Sequence, residues 1–485
     1  MKEYILKKRS FGLAFQTAFL YISAFITITI QAQTKEINIL AVNDMHAAID
    51  RFPQFVALVD SMRTIYPDLL LFAVGDNRTG NPANDMYPHS YPMVALMNKA
   101  GFNLSAVGNH EFDGSGIDDF RSIVNHSNFR YAGANIHTPD SIRLHVEPYK
   151  IFDIDGIRIG ALGLLQTGIN GLPDSHPDNL KGITFRPWEQ VAGEYSWLRD
   201  QCHVFLLLVH DSYEICVKFL YQYPYADVLI GGHSHTRIDS TEIHNGVMIT
   251  QAGSSLRFVT HITLQVTDGI VTHKESRLLD VDAFSRRDDE TQAMVDDFNN
   301  NEALKRVLTQ AITDFSSNEE LGYMMMDAIR METGADIAIH NFGGVRIRTF
   351  PKGPITVRDI YLIDPFNNEV IEYNLTGEEL LQLMKEAYLA QNNQPPFVSG
   401  ITYEMELDPQ GQIKNLEVKL EDGSRINLQK RYKVVINSYL AAVCQFEKAD
   451  SGKSIFRTVA EVAIDYLEKQ PQVDYKGVKR MTIKK

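Results

Sequence analysis

Short, unbroken apolar runs punctuate the first half of the chain, and most of them stop at a glycine or at a cluster of histidine, aspartate and asparagine. The runs at 37–42, 69–74, 204–209 and 228–230 read as strands buried on both faces. Between the first two the period changes: Phe55, Leu58, Val59 and Met62 fall on one helical face. Residues 153–160 read as a hairpin turning on Asp155-Gly156. Strands alternating with helices in this way predict an open α/β sheet, whose ligand sites lie outside the carboxyl ends of the strands. Residues near 286–306 are polar and acidic and predict a linker helix. Beyond it the pattern predicts a helix around 321–330, a strand at 336–339 and a helix near 378–389. Thr376 and Glu379 stand at capping-box spacing before that last helix. Strands follow at 401–407, 415–420 and 432–437, and no internal repeat or low-complexity tract is visible.

A length of 485 residues exceeds one ordinary core and predicts two domains. The expected division is a leader at 1–32, a first domain at 35–283, a linker at 284–310 and a second domain at 311–485. In the leader, Lys2, Lys7, Lys8 and Arg9 precede an apolar stretch at 11–30 and the small residue Ala32. This is the pattern of a secretory signal cut near Ala32 or Gln33, placing the mature chain outside the cytoplasm, in the periplasm or secreted. An uncleaved anchor is the alternative, because the stretch is long enough to span a bilayer. The absence of a nearby cysteine argues against a lipoprotein. Without 1–32 the chain loses four positive charges and Glu3, so its formal charge moves from −14 to −17. No basic stripe exists to hold a nucleic-acid duplex. No stable membrane partner is expected unless the leader is retained. An acidic protein that handles anions must supply positive charge locally, and bound metals do so. Cys202, Cys216 and Cys444 are too few and too scattered for a disulfide framework. Three buried thiols are expected, with a Cys202–Cys216 bridge as the alternative.

The clusters that end the apolar runs carry the chemistry. They are Asn43-Asp44-Met45-His46, Gly75-Asp76-Asn77, Gly108-Asn109-His110-Glu111-Phe112-Asp113, His210-Asp211 and Gly231-Gly232-His233-Ser234-His235. A lone Asp-x-His is ordinarily a polar strand end, and His203 and His244 read as ordinary histidines. Five clusters in this order describe a two-metal hydrolytic centre. In extended backbone, residues two apart point the same way, so Asp44 and His46 are expected to grip one cation together. Gly231-Gly232 lets the backbone approach closely before His233 and His235. A carboxylate such as Asp76 can bridge two cations. Oxygen and nitrogen donors suit Mn²⁺, Zn²⁺, Fe or Ni²⁺, and two such ions can clamp a phosphoryl group and activate water.

At these residues the chain resembles the calcineurin-like metallophosphoesterases. More closely it is similar to the two-domain 5′-nucleotidase family, which includes UDP-sugar hydrolases and 2′,3′-cyclic phosphodiesterases. The resemblance implies a four-layer αββα sandwich joined to a separate α/β substrate-binding domain. It implies one metal on Asp44, His46, Asp76 and His235, and another on Asp76, Asn109, His210 and His233. His110 would act on the transition state or the leaving group, with Asp113 orienting it. In the second domain, Asn341-Phe342-Gly343-Gly344-Val345-Arg346 resembles the family's Asn-x-Gly-Gly-x-Arg substrate motif, in which Asn341, Gly343, Gly344 and Arg346 would contact substrate. Phe366 and Tyr439 align with aromatics that sandwich a nucleobase, although from sequence alone both read as core. Two features depart from the family. The Gly-Gly-Asp-Gly that relatives carry after the second aromatic is replaced by Ala441-Ala442-Val443-Cys444-Gln445, and the arginine early in the domain has no match around 316–322. The implied activity is release of phosphate from nucleotides by a metal-activated water. Hydrolysis of UDP-sugars, cyclic nucleotides or another small phosphoester is the alternative. A secreted protein that binds metal and nucleotide without turnover is the non-enzymatic one.

Overall fold

The computed structural model describes residues 34–168 and 171–484, so the expected signal segment lies outside the described residues. The first unit is built on two sheets. One has seven strands, and its centre is Thr34–Val42, Leu70–Val74, Leu104–Ala106 and Arg130–Ala132, all parallel. Phe258–Thr267 pairs antiparallel with Thr34–Val42, and Ile270–Asp280 closes that edge. The other sheet has six strands, with Val204–His210 parallel to both Ile157–Leu165 and Val228–Gly231. The expected hairpin is present: Tyr149–Ile154 and Ile157–Leu165 pair across Asp155 and Gly156, both at positive φ.

Alternating residues explain the layering. Ile37, Ile39, Phe72 and Val74 of the first sheet pack on Ile159, Leu206, Leu208 and Ile230 of the second. Leu40, Val42 and Leu71 point the other way, into a core shared with the helices Phe52–Ile65, Tyr91–Ala100 and Ile117–His126. Leu162, Phe205 and Leu207 pack outward beneath Trp188–Glu194 and Tyr213–Leu220. The result is the αββα sandwich, with the central strands Leu70–Val74, Leu104–Ala106, Val204–His210 and Val228–Gly231 buried along their whole length.

The helix Asp289–Asn299 packs on the first unit through Val295 and Phe298, whereas Leu304 and Leu308 lie in the core of the second. That unit has a five-stranded sheet centred on Ile337–His340, Arg431–Asn437 and Glu369–Thr376. Asn318–Thr333 and Val459–Leu467 cover one face. Gly377–Leu389 belongs to the core on the other, and its Thr376–Glu379 capping box is formed in both directions. All three cysteines are buried free thiols.

Candidate active site

The five clusters leave the carboxyl ends of parallel strands in the two sheets and meet at one edge of the sandwich. Asp44 and His46 follow Thr34–Val42, and Asp76 follows Leu70–Val74. Asn109 and His110 follow Leu104–Ala106, His210 ends its own strand, and His233 and His235 follow Val228–Gly231. One expectation is corrected here. Asp44, His46, Asp76, His233 and His235 are not in extended backbone; each has φ between 47° and 70°. The chain must turn sharply once it leaves the sheet, and loop-to-loop bonds hold the turn: Asp44 N–H donates to Gly75 O at 3.1 Å and His46 N–H to Asp76 O at 2.9 Å. A left-handed non-glycine residue costs on the order of 1–3 kcal/mol, so five of them persist only where the surroundings fix them. His233 and His235 consequently diverge.

The donors form two groups. In one, His46 Nε2 lies 3.0 Å from His235 Nε2, and Asp44 Oδ1 lies 3.5 Å from His235 Nε2. In the other, His210 Nε2 lies 3.2 Å from both Asp76 Oδ2 and Asn109 Oδ1, and His233 Nδ1 is 3.1 Å from Asn109 Oδ1. Asp76 Oδ2 is also 4.0 Å from His46 Nε2, so it stands between the groups. Carbonyls fix the rings from behind: Val74 O faces Nδ1 of His210 at 2.8 Å, and Thr79 O faces Nδ1 of His46 at 3.0 Å. These two rings therefore turn Nε2 inward, whereas His233 presents Nδ1, and either nitrogen can ligate a metal. Gly232 is needed for this approach, since a Cβ there would lie 2.6 Å from Val74 O.

Asp44 and Asp76 are almost wholly buried, and imidazoles rather than lysines surround them. Burial opposes the charge of Asp76, but His210, His110 and His46 reverse that and hold its carboxyl well below the usual range. The same pair acts on His210: burial disfavours its charge, yet Asp76 raises it to about 10. His46 moves the opposite way, lowered by burial, Arg346 and His235. Buried carboxylates with inward-facing nitrogens and no lysine are a donor set that a divalent cation fits.

His110 stands beside this set. Its Nδ1 is 2.7 Å from Asp113 Oδ2, its Nε2 is 3.8 Å from Asp76 Oδ2, and its N–H donates to Asp76 Oδ1 at 2.9 Å. Burial lowers its proton affinity, but Asp76 and Asp113 outweigh that and raise it. Three supporting residues carried no assigned role in the sequence reading. Asn43 donates to Asp44 Oδ2 at 2.6 Å, and Glu111 accepts from the N–H groups of Asp76, Asn77 and Gly108. Both lie inside the clusters, so their density was the available signal. Gln391 joins Asn341 to Tyr439 and had none. Asp211 faces away, accepting the Trp188 indole N–H at 2.6 Å. His203 Nδ1 accepts from Arg158 N–H, and His244 pairs with Glu242.

The second unit closes the site. Arg346 Nη2 donates to His46 Nε2 at 2.9 Å, and the Phe366 ring stacks on His110 at 5.5 Å. Gly344 is obligatory, because a Cβ would collide with the His340 ring at 1.9 Å. Asn341, Gly343, Arg346, Phe366 and Tyr439 line a cavity of about 960 Å³ whose opposite wall includes Asn109, His110 and His233.

Two family models match the chain: calcineurin-like phosphoesterase over residues 37–237 and 5′-nucleotidase, C-terminal domain, over 302–445. The 5′-nucleotidase of Vibrio cholerae is 22% identical, over 91% of this chain and 92% of its own length. The trifunctional nucleotide phosphoesterase protein YfkN of Bacillus subtilis is 24% identical over 90% of this chain, which spans 34% of that relative. The chain likewise spans 37% of the endonuclease YhcR of the same organism. Among solved structures, a 5′-nucleotidase precursor from Thermus thermophilus shares the fold with a TM-score of 0.83 at 22% identity. That match covers 93% of this chain and 99% of the other.

Proposed function

Because the chain belongs to the family that joins a calcineurin-like phosphoesterase domain to a 5′-nucleotidase C-terminal domain, we propose that this metal-dependent phosphoester hydrolase is a two-metal 5′-nucleotidase. One observation carries the reading: the Asp–His–Asn donor set and the His110–Asp113 pair face Arg346, Phe366 and Tyr439 across a single cavity. One ion would be held by Asp44, His46, Asp76 and His235, the other by Asp76, Asn109, His210 and His233. Bound divalent ions of the Mn²⁺, Zn²⁺ or Fe²⁺ kind neutralise phosphoryl oxygens and acidify water.

The chain's own residues do the rest. His110 holds a proton at Nε2 for the oxygen on which charge develops, and Asp113 fixes the ring through Nδ1. Arg346 reaches the same edge and pairs with phosphoryl oxygens. Phe366 and Tyr439 wall the space a base would take, and Gly343 and Gly344 let the main chain approach it. The 441–445 stretch favours one rival. Ala441 and Ala442 line the cavity and Cys444 is buried in the core, so nothing ionic meets a ribose there. A phosphatase for another small ester, one without a ribose, is therefore the second reading. A secreted binding protein would have no use for the His110–Asp113 pair.

A substrate panel run with added Mn²⁺, Zn²⁺ or Ca²⁺ tests the reading. AMP should be turned over with a higher kcat/KM than p-nitrophenyl phosphate, and no preference for AMP would overturn it. The protein is placed outside the cytoplasm on its basic and apolar leader; N-terminal sequencing that finds Met1 intact on cytosolic protein would reject this. No helix among the described residues is long and apolar enough to cross a membrane.

A further inference from the structure

The strand Ile157–Leu165 runs parallel to Val204–His210, so the loop that follows it leaves the sandwich at the same edge as His210. That loop supplied none of the expected ligands, but its residue Asp174 stands against the second donor group from outside. The main-chain O of Asp174 accepts from Asn109 Nδ2 at 2.9 Å. A carbonyl can only accept, so this bond turns the amide nitrogen of Asn109 outward and its Oδ1 inward, toward His210 Nε2 and His233 Nδ1. The Asp174 side chain takes the other member of the group: its Oδ2 lies 3.5 Å from His233 Nε2. His233 presents Nδ1 to the donors, so the carboxylate stands behind its ring. His210 and His46 have main-chain carbonyls in the equivalent place. Pro173 and Ser175, on either side of Asp174, are buried, and Gly168 N–H donates to Leu172 O at 2.8 Å. These contacts hold the loop down while the Asp174 side chain stays partly exposed.

We propose that Asp174 is a positioning residue for the second metal ion, fixing Asn109 through its main chain and His233 through its carboxylate. The proposal rests on the two-metal reading and deepens it. A neutral imidazole has one N–H and one lone pair, and the partner of one nitrogen decides what the other can do. An ionised carboxylate 3.5 Å from Nε2 favours the tautomer with its proton there, which leaves the Nδ1 lone pair for a cation. Asp174 also adds a negative charge behind a group whose one carboxylate, Asp76, would be shared with the first ion. A backing carbonyl orients a ring but carries no net charge. The second ion therefore depends on Asp174 in a way that the first, held by Asp44, His46 and His235, does not.

The test is titration of metal-stripped wild type, Asp174→Ala, Asp174→Asn and Asp178→Asn with Mn²⁺, reading the affinity of each ion by calorimetry and the stoichiometry by elemental analysis. Asp174→Ala should bind one ion as the wild type does and the other at least roughly tenfold more weakly. Its main chain still holds Asn109, so the loss reports the carboxylate. Asp174→Asn, which keeps an oxygen facing the ring, should recover part of the affinity. Asp178 carries the same charge nearby but pairs with Lys181 at 2.8 Å, so Asp178→Asn should match the wild type. Saturating Mn²⁺ should restore turnover of p-nitrophenyl phosphate by Asp174→Ala. A change below about threefold, an equal weakening of both ions, or an equal effect of Asp178→Asn overturns the proposal. So does turnover that stays depressed with both ions bound, since that places Asp174 on the substrate. A wild-type protein that holds a single Mn²⁺ rejects the two-metal reading and this proposal with it. Two ions in the wild type with unchanged binding by Asp174→Ala reject the proposal alone.

Discussion

Asp76 is the side chain on which both donor groups converge, with His210 Nε2 at 3.2 Å and His46 Nε2 at 4.0 Å from the same oxygen. Asp76→Asn should lose activity by more than ~100-fold and lose metal, measured by elemental analysis. Asp211→Asn should keep both, because an amide oxygen still accepts the Trp188 N–H and the side chain faces away from the donors. Two bound metals and normal turnover in Asp76→Asn would contradict the bridge. His110 makes the complementary case. Its ring approaches Asp76 only through Nε2, at 3.8 Å, and is held by Asp113. His110→Ala should lower kcat by roughly 10²- to 10⁴-fold with metal content kept. Loss of a cation in that variant would make it a ligand.

At the scale of elements, three segments that face the cavity are tied together by one buried histidine. His340 ends the strand Ile337–His340; its Nδ1 lies 2.9 Å from Asn341 O and its Nε2 lies 2.8 Å from Asp364 Oδ2. Asp364 precedes Phe366, and Asn437 both donates to Asn341 Oδ1 at 2.7 Å and caps the helix that carries Tyr439. His340→Ala would strand buried partners at about 1–3 kcal/mol each, lowering Tm and raising KM for nucleotides. His340→Gln, which keeps a donor, should recover part of the KM. A Tm loss with unchanged KM would limit the histidine to stability. A second tie joins the helix Asn318–Thr333 to the segment that leads into the strand Met481–Lys484. Asp327 accepts two bonds of 2.7 Å from Arg480 and one of 2.9 Å from Tyr475. Burial opposes its charge, but Arg480, Ser399 and Tyr475 prevail and hold the carboxyl below its ordinary value. Its stabilisation is full above the unfolded carboxylate range, near pH 4, and is lost as pH falls through the lower folded value. Asp327→Asn should flatten the acid limb of a pH–Tm curve; a parallel curve would refute this.

For the whole molecule, the decisive feature is that two cores meet at one site. Arg346 bonds to His46, and Arg358 pairs with Asp50 at 2.9 Å, so the second unit sits directly on the first. Tyr439→Ala should raise KM for AMP by an amount equivalent to about 1–3 kcal/mol if the ring stacks a base, and should spare p-nitrophenyl phosphate. Phe366→Ala should do more. Because the ring also stacks on His110, kcat on the small ester should fall as well. Equal behaviour of the two variants on both substrates would separate neither ring from the other and would reject this division of roles.

Much of this was legible in the sequence, because strand burial and the residues that end a strand are local properties. The apolar runs gave Thr34–Val42 and Val204–His210, and Thr376–Glu379 announced its helix. The order of the clusters located the donors, since parallel strands deliver their ends to one edge. Tertiary structure decided what depends on distant chain. Left-handed turns replaced extended backbone at Asp44 and His46 because the loops after two neighbouring strands bond to each other. The grouping of His233 with Asn109 and of His235 with His46 came from packing two sheets together. The stacking of Phe366 on His110 and the reach of Gln391 to Asn341 and Tyr439 have no periodicity or spacing to betray them. They are set by where the second core comes to rest on the first, which is a matter of surface fit across hundreds of residues rather than of local preference.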